Sequence, residues 1–164
     1  MKQAIPGVAP PDSGEVTTMV VWPSIAAMPL GRQLGRIYSI DVGVGSILTI
    51  GNIAALLSIP VAIGLFSISL LFGGRYRLTN RRVIIEWGPK NTEVRSCALD
   101  DFDTIDVDVL PGQEWYPAGD LIFRKGTLEA LRLQGVPRPE TFRQTCLKAQ
   151  RAYVGVKQAL ALQA

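Results

Sequence analysis

The hydrophobic pattern changes texture twice along the chain. From Asp41 to Arg75 there is an uninterrupted apolar run, Val42 to Phe72 at its core, with no Asp, Glu, Lys or Arg among the 33 residues enclosed. On either side the pattern is ordinary: short alternating or β-branched stretches, then one amphipathic stripe near the end. A bilayer core about 30 Å thick needs about 20 helical residues at 1.5 Å each. The run is therefore too long for one straight span and rather short for two. One pattern that fits it is a single tilted helix from about Ala54 to Phe72 after an interfacial stretch. The other is a helical hairpin turning at Gly51-Asn52, with arms Leu34–Ile50 and Ile53–Phe72 and a kink at Pro60. Arg32 and Arg36 precede the run, and Arg75, Arg77, Arg81 and Arg82 follow it. A hairpin puts both clusters on the cytoplasmic side, as the positive-inside rule asks, so charge placement favours it.

Before the run, Glu15 to Trp22 is β-branched and apolar and stops at Pro23, which predicts a short strand or an interfacial segment anchored by Trp22. Ser24 to Ile40 carries Arg32 and Arg36 on a predicted helix. After the run the pattern turns to β. Strands are predicted at Tyr76–Thr79, Arg81–Trp87 and Thr92–Leu99, with Gly88-Pro89 as a turn. Ile105, Val107 and Val109 alternate on one face. Leu121–Arg124 and Leu128–Leu133 form a predicted hairpin around Lys125-Gly126. Pro139 suits a first helical position, and Phe142, Cys146, Ala149, Tyr153 and Val156 make one apolar stripe. The expected divisions are a disordered tail (1–14), a pre-membrane segment (15–33), a transmembrane hairpin (34–73), a β-rich domain with its helix (75–158) and a short tail (159–164).

Composition narrows the function classes. The chain of 164 residues has no histidine, which excludes Ser-His-Asp and Cys-His chemistry. Its net charge of +3 is too small and scattered for a nucleic-acid footprint. Cys97 and Cys146 lack metal-ligand spacing and are expected to be buried thiols in a reducing compartment. The segment 1–14 lacks the apolar core of a secretory signal. Gly43-Val44-Gly45 and Gly51 lack the strand and third glycine of a dinucleotide fingerprint, and suit close helix contact instead.

Three groups of residues are candidates for binding. Arg75, Arg77, Arg81 and Arg82 stand next to the apolar run, where each cation near an anionic surface gains about 1 kcal/mol. Lipid contact and topology enforcement both account for them. Asp100, Asp101, Asp103, Asp106 and Asp108 lack the spacing of a calcium loop and are expected as the solvent face of a strand region, or as a protein-docking strip. Trp115 and Tyr116 form an aromatic loop suited to the membrane interface, to a partner, or to packing beneath the loop. No catalytic, cofactor or metal residues are assigned, and no small-molecule substrate is identified.

The segment Arg75-Tyr76-Arg77-Leu78-Thr79-Asn80-Arg81-Arg82-Val83-Ile84-Ile85, then Gly88, resembles the strand pair of the bacterial pleckstrin-homology-like membrane proteins. Trp22-Pro23-Ser24 stands about fifty residues upstream, as in that family. Leu99-Asp100-Asp101-Phe102, Gly119-Asp120-Leu121-Ile122 and Val136-Pro137-Arg138-Pro139 resemble its later elements. The resemblance covers about Val21 to Tyr153. It implies a membrane-anchored α+β protein: a helical hairpin followed by a seven-stranded, PH-like antiparallel β-sandwich capped by a C-terminal helix. The implied function is a non-catalytic binding or scaffolding module on the cytoplasmic face of a bacterial inner membrane, with lipid and other membrane proteins or a second copy as partners. The alternative is a structural accessory subunit of a larger membrane complex.

Overall fold

The computed structural model describes residues 14–40, 43–44 and 48–162. The expected disordered tail lies outside them, apart from Gly14. The chain forms β1 (Thr17–Val21), a 3-10 turn (Ile25–Ala27), α1 (Pro29–Tyr38), β2 (Gly43–Val44), β3 (Leu48–Thr49) and α2 (Ile50–Phe72). Six strands and a helix follow: β4 (Gly74–Thr79), β5 (Arg82–Trp87), β6 (Thr92–Ala98), β7 (Thr104–Asp108), β8 (Ala118–Lys125), β9 (Leu128–Pro137) and α3 (Pro139–Ala161).

Two antiparallel sheets make the body, one in the order β1-β4-β5-β6 and the other β7-β8-β9. Together they are the seven strands of a PH-like α+β fold. Alternation sets what each strand buries. Tyr76 and Leu78 of β4, Val83 of β5 and Cys97 of β6 point inward to meet Ile105, Leu121, Phe123, Leu131 and Leu133 of the second sheet. Phe102 and Phe123 meet edge to face at 5.0 Å between ring centroids. Helix α3 closes the sandwich with Phe142 and Cys146, both buried, while Ala149 and Tyr153 pack partly on the same core. Burial pushes the Cys146 thiol up to about 12, and both cysteines are free and buried. The Gln150 side-chain amide donates to the Phe102 carbonyl at 2.6 Å and ties α3 to the loop between the sheets.

The structure revises the layout around the apolar run in three ways. The first concerns the predicted hairpin. Its first arm, Leu34–Ile50, is not one helix. Helix α1 ends at Tyr38, and the two-residue strands β2 and β3 pair with each other before α2 begins. Gly43 and Val44 are weak helix formers, which suits a strand at that point rather than a continued helical arm. The second concerns the sheet. The predicted domain begins at residue 75, but β1 lies far upstream and pairs with β4, Val21 opposite Tyr76 and Val20 opposite Arg77. Residues 22–73 are therefore an excursion inside the first hairpin of the sandwich rather than a segment ahead of it. The third concerns the end of the chain, where α3 continues through Ala161, so the predicted tail begins inside the helix.

Helix α2 has 23 residues with Pro60 inside it. No helix, among the described residues, is long and apolar enough to cross a membrane. The expected transmembrane hairpin is thus without support.

Candidate functional site

Strand register gathers several loops at one end of the sandwich. Gly74 opposes Trp87, and Val21 opposes Tyr76, so Trp22, the α2–β4 junction and the β5–β6 turn share that end of the first sheet. In the second sheet Asp108 opposes Asp120, which puts the loop 109–117 at the end away from Thr104 and Arg124. That loop docks on α1, and α1 docks on α2, so these segments form one junction.

The junction depends on residues without side chains. A Cβ at Gly35 would lie against the Gly112 carbonyl, and one at Gly112 would lie against the Arg32 carbonyl. Gly112 also has φ +92°, a conformation open to glycine and strained for other residues. Arg36 Nε donates to the Pro111 carbonyl at 3.2 Å, fixing the same contact from the side. Three aromatic rings fill the space beyond. Tyr38 stands 4.7 Å from Trp115 and 6.5 Å from Tyr116, and Trp115 stands 5.0 Å from Tyr116, all tilted or edge to face. The Tyr38 and Ser58 hydroxyls share a hydrogen bond, which links α1 to α2. Gly51 at the start of α2 packs against the Tyr38 and Ile40 carbonyls. Farther along α2, Ala62, Ile63 and Phe66 face Ser24, Ile25 and Tyr116 across an open apolar cleft.

A buried polar relay holds the aromatic loop in place. Gln113 is fully buried, and its Oε1 accepts from the Leu110 N–H at 2.9 Å. Its Nε2 donates to Asp120 Oδ1 at 2.7 Å, and the Gly135 N–H donates to the same oxygen at 2.9 Å. Arg132 stands 3.5 Å from the other Asp120 oxygen. The Gly135 carbonyl in turn accepts from the Ser24 N–H at 2.8 Å, so one carboxylate couples the loop, β9 and the start of the excursion. Asp120→Asn keeps an acceptor at this point and removes the charge. We expect it to lower unfolding stability by about 1–2 kcal/mol, read as a denaturation midpoint of the full chain in detergent.

The structure separates the four predicted arginines. Arg75 and Arg77 both pair with Glu86, which is 3% exposed, Arg77 at 2.6 Å. Arg82 pairs with Glu15 at 2.8 Å and Glu93 at 2.9 Å. The hydrogen bond from Arg82 holds the Glu15 carboxyl below its ordinary range. Arg81 is exposed in the β4–β5 turn, at the sheet end away from α2. Trp115 is 47% exposed at the junction, and Tyr116 is half-buried beside it.

The acidic strip is taken up by basic partners: Asp106 with Arg124 at 2.7 Å, Asp101 with Lys125 at 2.5 Å, Asp100 with Lys157 of α3 at 2.6 Å. Asp103 accepts from the Gly126 N–H at 2.9 Å. Among the described residues no cluster of ligands could hold a metal ion. Sequence reasoning did not find Tyr38, Glu86, Gly112 or Gln113. Tyr38 falls inside the predicted hairpin arm Leu34–Ile50, and Glu86 is the one acid beside Val83, Ile84, Ile85 and Trp87 of β5, which is the signal that could have marked it. Asp120 stands out in the sequence only within Gly119-Asp120-Leu121-Ile122.

The profile of the family described as "Bacterial PH domain" matches residues 25–150. No curated protein and no solved structure matches the chain.

Proposed function

The chain belongs to the bacterial PH domain family, and from that premise we propose that it is a non-catalytic binding module attached to a membrane through α2. PH-like domains are generally binding modules. The observation that carries the membrane attachment is the surface of α2. Ile53, Leu56, Leu57, Ile59, Val61, Ile63, Phe66 and Ile68 are between 38% and 76% exposed. Isolated apolar side chains at a surface are ordinary, but these run along one apolar helix whose half-buried positions, among the described residues, include Ala55, Ser58 and Ala62. A helix apolar all round belongs in a protein core or in lipid.

The placement of α2 supports attachment at one face of the bilayer. Its start is held by Tyr38 and Ile40, its middle by Ile25 and Tyr116, and its end runs directly into β4. Both ends stay with the sandwich, which suits a helix taken up by lipid beside its own domain. The arginines on both sides of the run favour the cytoplasmic face of an inner membrane.

Flotation of the full chain on vesicles of mixed neutral and anionic lipid tests this. The wild type is expected in the lipid fraction. Leu56→Asp with Leu57→Asp is expected to cut the floating fraction at least about tenfold, since two highly exposed apolar side chains of α2 then carry charge. Wild type remaining in the aqueous fraction would sink the proposal. The second function is an accessory subunit, favoured by the same uncovered face of α2, which neighbouring helices would bury equally well. A discrete large complex on native sizing in mild detergent supports it, and a small particle counts against it.

A further inference from the structure

All three tryptophans of the chain stand at the α2 end of the sandwich, and all three are exposed: Trp22 44%, Trp87 60% and Trp115 47%. They come from three different connections, after β1, at the close of β5 and between β7 and β8. Trp115 also packs on Tyr38 and Tyr116, but each indole leaves a large part of its surface in water. Each costs more in solvent than a polar residue would, because an exposed indole keeps a large apolar area hydrated.

We propose that Trp22, Trp87 and Trp115 form an interfacial anchor that seats this end of the sandwich in the headgroup region of a lipid bilayer. The inference rests on membrane attachment through α2 and adds the orientation of the domain. Indole suits that region, with an apolar ring and an N–H donor for headgroup oxygens. The surface is continuous with the apolar face of α2. Trp87 stacks over Gly74, where a Cβ would meet its ring, so this indole marks the point at which α2 enters β4. Trp115 stands against Tyr38 near the start of α2.

Three single-tryptophan chains test the anchor, each with the other two replaced by phenylalanine. They are read beside the wild type on vesicles of phosphatidylcholine and phosphatidylglycerol. The lipids carry bromine either near the glycerol end or near the methyl end of the acyl chain. The expected result is a larger loss of emission with the shallow bromines than with the deep ones, at all three positions, with weak quenching by aqueous iodide. Chains that float with the vesicles while their tryptophans respond only to iodide would overturn the anchor and leave the α2 attachment standing. A wild-type chain that does not float would overturn both.

Discussion

A chain beginning at Gly74 is expected to fail to fold, and one in which residues 23–73 are replaced by a short glycine-serine linker is expected to keep the sandwich. The first lacks β1. That leaves β4 as an uncovered edge and removes Val21 from the core, where it is 8% exposed. A strand of five residues brings a handful of ladder hydrogen bonds at about 1 kcal/mol each, and a buried valine adds about 1.5–3 kcal/mol. The sum is comparable to the whole stability of a small domain, about 5–15 kcal/mol. The linker chain retains β1, because Val21 and Tyr76 are cross-strand neighbours and a short turn joins such a pair. It does lose Ala26, which is fully buried, and the Ser24 bond to Gly135, so its midpoint falls below that of the full chain. Circular dichroism and denaturation of the two fragments distinguish these outcomes. Cooperative unfolding of the fragment from 74 would show that β1 is dispensable.

The second large effect is at Glu86. Replacing it with alanine leaves Arg75 and Arg77 without their shared carboxylate. Breaking a buried pair by removing one member costs about 3–5 kcal/mol. Here about 2–4 kcal/mol is expected, because Arg75 and Arg77 remain 26% and 31% exposed and water recovers part of their hydration. Arg81→Ala, in the exposed turn, is expected to stay within about 0.5 kcal/mol of wild type. A chemical denaturation series in detergent measures both. Equal midpoints for the two variants would show that the Glu86 pair contributes nothing. The contrast also bears on lipid binding: of the four adjacent arginines, Arg75, Arg77 and Arg82 already face carboxylates inside the fold.

Local patterns made much of the fold legible. Alternation placed β4 through β9 within a few residues, and the stripe from Phe142 placed α3. These elements bury one face each, so their period is written in the side chains. What was illegible depended on distance. β1 read equally well as a strand or an interfacial segment, because nothing local tells a β-branched run that its partner lies beyond residue 73. The hairpin arm failed for a related reason. Hydropathy registers that residues 42–50 are uncharged, and is blind to the weak helix propensity of the glycines and valines among them. At the site, Trp115 and Tyr116 stood out as an aromatic pair. Tyr38, Gln113 and Gly112 did not, since their meaning comes from contacts across the chain.

The position of α2 inside the first hairpin also bears on the order of folding. Bringing β1 to β4 requires closing a loop of about 50 residues, which costs about 2 kcal/mol more than a four-residue turn. The pairing is therefore a high-contact-order event, and β4-β5-β6 can assemble without waiting for it. During synthesis α2 is complete before β4 exists. If a lipid surface takes up α2 at that stage, it also confines the two chain ends that β1 and β4 occupy. The membrane would then act on the protein as a template that shortens the search for its first strand pair. Refolding of the full chain from denaturant would accordingly run faster when vesicles are present.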